Sequence, residues 1–481
     1  MKLNFFKILA LASVVSFSSC SNLLDIKETD FLGGDVALKT VKNNESLLIG
    51  AYAAFGTEMG IQMNAIFSDE VKSGDSYLAN TLHEWRYSPD DIGIRDSYMA
   101  IDQYYRVIDR TNRIFKALPD ATASTPADED LRKQVRGEAL FLRAFSHFEL
   151  FRYYCKNYDP AGLGMIYMTE PSLEAKEREK MDTYFQKMLA DIAEAKTLLT
   201  NSTDKFRANK LAVVALHARV ALYMKNWKDA ITYSTEYINA FPLATKEEFP
   251  GIWTDANSAE QAFKLKRTAA TGRFGSFFRG VFTKNAAGVL QAPLITWMPS
   301  DKLWNAYDQT NDVRFASYYI DEPLLQPVAG KPSKIVNKYH GTGYGTTDEN
   351  VNDIKVFRTA EMYLIRAEAR AEDNAISGAN SAESDLNALR AARITGYTNV
   401  TLASKDQAIT QILQERFKEL SLEGHRFWDL KRRGLPVQRL ATDAPTPTAA
   451  TLPANDFRFL LPIPNAEKLA NPLIQQNEGY N

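Results

Sequence analysis

Residues Ser404 to Gly434 read SKDQAITQILQERFKELSLEGHRFWDLKRRG, and the fold follows from how this stretch is read. Ser404 with Gln407 three residues on is a capping-box pair, which predicts a helix start. Ile409, Ile412, Leu413, Phe417 and Leu420 recur at helical spacing and form one apolar stripe. Glu415, Arg416, Glu419, Glu423, Arg426 and Asp429 crowd around that stripe, and Gly424 is the expected C-terminal stop. Paired charge beside so much apolar surface predicts a helix wedged between other elements, its carboxylates meeting guanidinium groups. The charges then clamp a helical scaffold to the C-terminal wrap and do not form a catalytic site.

Working outward, other segments carry the same 3.6-residue period. Leu131 to Tyr154 is apolar on two sides and predicts a helix covered by neighbours on both. Asp96 to Asn112, Asp182 to Leu199, Asn209 to Met224 and Phe357 to Ile394 continue the series, and Val41 to Thr57 gives a first helix. The run Ala215 to Tyr233, with its turn at Asn226-Trp227, has the helix–turn–helix pattern of a tetratricopeptide unit. The expected fold is therefore mainly α, a scaffold of tetratricopeptide-like helix hairpins with a few short strands. Two stretches break the period. Residues 59–94 and 242–350 are rich in Gly, Ser, Asn, Asp and aromatic residues and read as long loop systems, with Gln261–Arg267 and Asp312–Ile320 as short strands. Loops of that length inside a folded chain usually carry function.

The first residues, MKLNFFKILALASVVSFSSCSN, place Lys2 and Lys7 before a short apolar run and Ser18-Ser19-Cys20 after it. This is a lipoprotein signal over residues 1–19 with Cys20 as the lipidated residue. Acyl chains on Cys20 anchor a chain at about 0.8 kcal/mol per buried CH2. The other cysteine, Cys155, then has no partner and reads as a small buried apolar residue.

Over 481 residues, 57 Lys and Arg nearly balance 59 Asp and Glu with no basic block, which argues against nucleic acid as a partner. His83, His147, His217, His340 and His425 fall in no zinc pattern, and there is no nucleophile elbow or P-loop, so neither a catalytic residue nor a metal ligand set nor a cofactor motif is assigned. Gly341-x-Gly343-x-Gly345 reads as a flexible loop, and a calcium role for Asp69, Glu70 and Asp75 fits no loop signature. The better signal is rings in polar loops, which offer flat faces to a sugar or peptide while Asn, Asp and Arg meet its polar groups. The candidate ligand-binding residues are Asp69, Asn80, Trp85 and Tyr87 in the first irregular stretch, and Trp253, Arg273, Phe274, Phe277 and Trp297 in the second.

Several dispersed motifs occur together: Cys20, VRGEALFLRAFSHFELFRYY (Val135 to Tyr154), the repeat around Trp227, FRTAEMYLIRAEARAE (Phe357 to Glu372), DLNALRAAR (Asp385 to Arg393), QERFKELSLEGHRFWDLKRRG (Gln414 to Gly434) and LPIPNAEKLANPLIQQNEGY (Leu461 to Tyr480). In this order they resemble the SusD/RagB family of nutrient-binding outer-membrane lipoproteins of Bacteroidetes. The resemblance covers the whole mature chain. It implies a single domain over 20–481, with an N-terminal part to about 240 and a C-terminal part from about 241. It implies four tetratricopeptide-like helix pairs, an outer-membrane location facing the cell surface, no catalysis, and a SusC-like TonB-dependent transporter as partner. The implied ligand is an oligosaccharide. A peptide-binding member, a scaffold that binds no small ligand, and a hydrolase are the rival readings.

Overall fold

A computed structural model of the chain describes residues 37–75, 80–288 and 290–480. The expected signal sequence and Cys20 lie outside the described residues. The main helices are α1 (Val41–Ala54), α2 (Glu58–Phe67), α3 (Ala100–Ala117), α4 (Pro126–Tyr154), α5 (Met181–Leu198), α6 (Lys210–Met224), α7 (Trp227–Ala240), α8 (Thr359–Glu372), α9 (Ala382–Arg393), α10 (Lys405–Glu419) and α11 (Arg426–Arg433).

Local chemistry sets the helix ends. Thr125 and Asp128 form a reciprocal capping box and Pro126 takes the first turn of α4. α6 starts under Asn209, whose side chain accepts from Leu211 and Ala212 N–H, and ends at Lys225 in the left-handed conformation. The next residue, Asn226, caps α7 by accepting from Asp229 N–H, so the hairpin turns in two residues. The tetratricopeptide-like reading rests on this turn. Helices then pack in sequence-adjacent pairs: α3 on α4, α4 on α5, α6 on α7 and α8 on α9, with α8 also against α7 and α10. α4 is covered on both sides, and nearly every residue from Val135 to Tyr154 is buried.

Buried ion pairs fasten the pairs together. Arg143 of α4 grips Asp191 of α5 through two bonds of 2.7 Å. Arg219 of α6 grips Glu361 of α8 at 2.6 and 2.7 Å. Between the helical halves, Gln261–Leu265 pairs antiparallel with Ile354–Arg358, both fully buried.

α10 shows why the charges of the opening stretch are there. Ser404 caps it by accepting from Gln407 N–H, while the Gln407 carboxamide accepts from Ala403 N–H. Glu419, wholly buried, accepts from Arg314 at 3.0 Å, Arg358 at 3.0 Å and Arg393 at 3.2 Å. Glu415 accepts from Arg314 and Arg390, both at 2.6 Å, and Glu423 from Arg358 and Lys338, both at 2.7 Å. Burial alone would raise the Glu419 pKa. The surrounding Arg393, Arg358 and Arg314 charges outweigh it and hold the carboxyl below its ordinary range.

Four expectations need correction. First, α10 ends at Glu419, not at Gly424; Leu422 (φ 57°) and Gly424 (φ 82°) shape the turn into α11. Second, the irregular stretch at 59–94 opens with helix α2, whose Asn64 side-chain oxygen accepts from Phe427 and Trp428 N–H at the start of α11. Its polar residues are tertiary ties and do not break the helix. Third, Val313–Tyr318 is a helix capped by Asp312, with a strand only at Tyr319–Asp321, because Arg314 must point at Glu415 and Glu419. Fourth, the charges around α10 join it to Arg314, to the Ile354–Arg358 strand and to α9, not to the C-terminal wrap. That wrap is held elsewhere: Arg178 donates to Gln475 and Asn477, and Leu461 N–H donates to the Tyr153 carbonyl. Cys155 is free and buried, with Arg178 Nη2 3.6 Å from its sulfur.

Candidate functional site

The candidate residues fall into three groups. In the first, Val71–Ser73 pairs antiparallel with Trp297–Pro299. Asp69, just before that strand, is buried; it accepts from Arg426 at 2.7 and 2.8 Å and from Lys302 at 2.6 Å. Burial would raise its pKa, but the Arg426 and Lys302 charges win and hold it ionised. Its oxygens are thus committed to structure. Trp85 is 2 % exposed; its indole N–H donates to the Phe67 carbonyl and Arg439 lies 4.1 Å over its ring. Tyr87 stacks on Phe67 and donates to the Arg458 carbonyl. Trp297 is buried against the His83 ring. Asn80 is half-buried, its side-chain oxygen accepting from Leu82 and His83 N–H.

The second group is Trp253, 1 % exposed and enclosed by cations. Lys338 lies 4.1 Å, Arg358 5.1 Å and Lys355 5.7 Å from its ring centre, and Tyr318 packs edge-on. Trp85, Tyr87, Trp253 and Trp297 were expected to offer faces outward. In the fold those faces meet Arg, Lys, His and aromatic partners inside the protein. The physical reason is that a guanidinium or ammonium beside a ring stabilises a buried polar segment as readily as it frames a ligand.

The third group does reach the surface. Segment 273–282 lies against segment 339–350. Gly275 N–H donates to the Asn350 carbonyl, and a Cβ on Gly275 would sit 1.9 Å from the Tyr339 carbonyl oxygen, so only glycine permits this approach. Half-buried Arg273 donates to the Glu349 carbonyl at 2.6 Å and the Thr347 carbonyl at 2.9 Å, closing the loop over residues 341–350. Phe274 packs inward on Tyr339, 4.8 Å between ring centres, and half-buried Phe277 rests edge-on against Phe278.

Two rings that the sequence reading did not single out complete this surface. Half-buried Phe282 and Tyr344 meet edge to face at 4.5 Å. Arg279 lies 4.4 Å over the Tyr344 ring, and the Tyr344 hydroxyl donates to the Arg279 carbonyl at 2.7 Å. Tyr344 stands between Gly343 (φ 91°) and Gly345 (φ 75°), which have open space where a side chain would be. The signal in the sequence is an aromatic residue inside the Gly-rich run, which the expectation of a flexible loop passes over. Val281, next to Phe282 in the chain, and Leu294, whose carbonyl lies against Gly280, are exposed. Among the described residues no group of His, Cys, Asp and Glu is arranged to hold a metal, and no helix is long and apolar enough to cross a membrane.

A helix-hairpin scaffold that fixes a loop-borne aromatic surface has the build of a binding protein. The chain belongs to the SusD family, whose model matches residues 224–480; residues 25–222 match the family described as "Starch-binding associating with outer membrane". It is 24% identical to SusD-like protein P38 of Formosa agariphila over 98% of both chains. A SusD superfamily protein from Bacteroides thetaiotaomicron superposes with a TM-score of 0.76 at 25% identity, over 91% of this chain and 99% of that one. A laminarin-binding SusD-like protein has the same fold, with a TM-score of 0.69 at 22% identity over 92% of this chain and 100% of its own.

Proposed function

We propose that this chain is a cell-surface lipoprotein of the outer membrane that captures an oligosaccharide and passes it to a SusC-like TonB-dependent transporter. On this reading residues 1–19 are removed, Cys20 carries the lipid, and 20–481 acts as one unit. The supporting observation is the half-exposed Phe282–Tyr344 pair, braced from behind by Arg279 and carried on a loop pinned by Arg273. Two rings at an angle offer apolar faces for sugar rings, and Arg273 and the 341–350 loop supply polar groups around them. The buried candidates Asp69, Trp85, Tyr87, Trp253 and Trp297 then act beneath the surface, holding the loops in place, with Phe274 and Phe277 closer to the ligand. On this reading the protein binds and hands on the sugar without cleaving it. The laminarin-binding relative favours a glycan over a peptide.

Titration calorimetry of the chain against a glycan panel tests the reading. Phe282→Ala and Tyr344→Ala should each weaken binding about tenfold, or ~1.4 kcal/mol, without a lower melting temperature. If no oligosaccharide binds, or both variants bind like the native chain, the site is wrong. A peptide panel in the same cell decides the peptide-binding alternative, and release of reducing sugar would convict a hydrolase. Co-purification with a SusC-like barrel, lost on Cys20→Ser, tests the partner and the anchor together.

A further inference from the structure

A groove of about 400 Å3 runs between α3, residues 166–176 and the C-terminal stretch 467–474. Its floor is apolar, built from Ile101 and Ile108 of α3 with Met168 and Ile474. Its walls are tied in place. Tyr105 donates to the Ile166 carbonyl at 2.8 Å and Asn112 to the Met168 carbonyl at 3.0 Å. Across the groove, the Asn471 side chain donates to the Lys176 carbonyl at 2.8 Å and accepts from Lys176 N–H at 3.2 Å. The opening is thus set by backbone-anchored bonds and stays open without a ligand.

Two features of its edge lack a counterpart within the chain. Leu173 on one wall is fully exposed, and Leu469 and Leu473, close in sequence to the groove residues Glu467, Asn471 and Ile474 but outside the lining itself, are 85 % and 48 % exposed. Exposed leucines on and beside an apolar-floored groove leave apolar surface for another molecule to cover. Charge is the second feature. Five carboxylates line the groove (Asp102, Asp109, Glu170, Glu174 and Glu467) against two cations, Arg106 and Lys176. Asp102 pairs with Arg106 and Asp109 with Arg113. The side-chain carboxylate of half-buried Glu467 accepts no hydrogen bond and makes no ion pair among the described residues, although its backbone carbonyl accepts from Asn471 N–H. Its pKa is pushed up by burial and then by the Asp102 charge, the condition of a carboxylate that lacks a cation.

We propose that this groove docks a segment of another protein that sets a lysine or arginine against Glu467 and lays aliphatic side chains over the Ile101–Ile474 floor and the leucine rim. A cation at that point would relieve the repulsion between Glu467 and Asp102, and the flanking aliphatic groups would remove the rim leucines from water. The groove shares no residue with the proposed glycan surface.

Panning a phage library of random dodecapeptides on the full-length chain tests the proposal, with the enriched peptides synthesised and titrated by fluorescence polarisation. The expected consensus is one Lys or Arg flanked by Leu, Ile, Val or Phe. Its affinity should fall at least tenfold for Glu467→Lys and for Leu469→Asp, while Tyr344→Ala binds it as the native chain does. Both variants change exposed or half-exposed groups, and an unaltered melting curve and glycan titration confirm that each is folded. Enrichment of no sequence, or of acidic or uncharged ones, overturns the proposal; so does a consensus whose affinity ignores Glu467→Lys. A failed glycan titration with a successful peptide titration would remove the sugar reading and leave this groove standing.

Discussion

The knot of charges around α10 and the loop surface at 273–282 and 339–350 use the same pieces to opposite ends. Both place arginines on aromatic rings: Arg393 lies 4.3 Å over Phe249 in the knot, and Arg279 lies 4.4 Å over Tyr344 on the surface. In the knot the carboxylates are covered from within, as at Glu419 with its three guanidinium partners. On the surface the partners run out: Tyr344 has Arg279 behind it, Phe282 at its edge and the Ile295–Leu325–Ile335 cluster against it, yet stays half exposed. What separates architecture from binding is therefore not the presence of Arg and aromatic residues but whether the last partner belongs to the chain.

The sharpest way to break this contrast is to remove one centre of the knot. Glu419→Ala would take one carboxylate partner from each of Arg314, Arg358 and Arg393, all buried, and should cost roughly 3–5 kcal/mol of stability by urea denaturation. Molecules that remain folded should bind glycan normally. A melt equal to that of the native chain, with binding lost, would make the knot a site. Trp253→Ala comes next, at about 3 kcal/mol. Its cavity would open beside Lys338, Lys355 and Arg358, and water reaching those cations limits the loss. Here too stability should fall and glycan affinity should not; the reverse result would restore Trp253 to the ligand.

The helical half of the molecule was legible because its rules are local. The period of Leu131 to Tyr154, the cap at Ser404 and the turn at Asn226 each depend on residues within a few positions, and the C-terminal end of α4 and the starts of α10 and α7 follow. The candidate rings were harder because burial is a long-range property. Trp85 reads the same in sequence whether or not Arg439, hundreds of residues away, lies on it. The helix α2 was hidden for a related reason: Asn64, a residue that usually interrupts helices, is retained because its side chain caps α11. Tyr344 escaped notice because glycines on both sides made the run look featureless, although that openness is what leaves the ring accessible.

A smaller effect tests the knot from its edge by pH. Burial pushes the Glu70 pKa from 4.5 up to about 8, though its side chain accepts Leu422 N–H at 2.7 Å. A carboxyl raised in the folded state favours folding fully below pH 4.5, and that contribution is lost as pH climbs toward 8. Glu70→Gln keeps the acceptor for Leu422 and cannot ionise. It should match the native chain at pH 4.5 and exceed it at pH 6, by on the order of 2 kcal/mol. Equal melting curves for the two proteins at both pH values would mean that Glu70 is ionised in the fold.

The smallest expected change in stability is the most informative about the surface. Arg273 holds the 341–350 loop through two backbone carbonyls, at Thr347 and Glu349, and touches the core only through its neighbours. Removing it in Arg273→Ala should cost roughly 1 kcal/mol globally. Locally, the amides of residues 341–350 should exchange with deuterium faster, while those of α4 and α10 remain protected. Because Tyr344 rides on this loop, glycan affinity should drop severalfold as the ring loses its fixed pose, and the loss should appear as an entropic penalty in calorimetry. Arg273→Lys separates the two roles the side chain could have. A lysine keeps the positive charge but cannot span both carbonyls with a planar fork, so it should behave like alanine if Arg273 positions the loop. Should lysine restore affinity while loop exchange stays fast, Arg273 would instead meet the sugar directly, and the loop surface would carry one more partner than its internal contacts require.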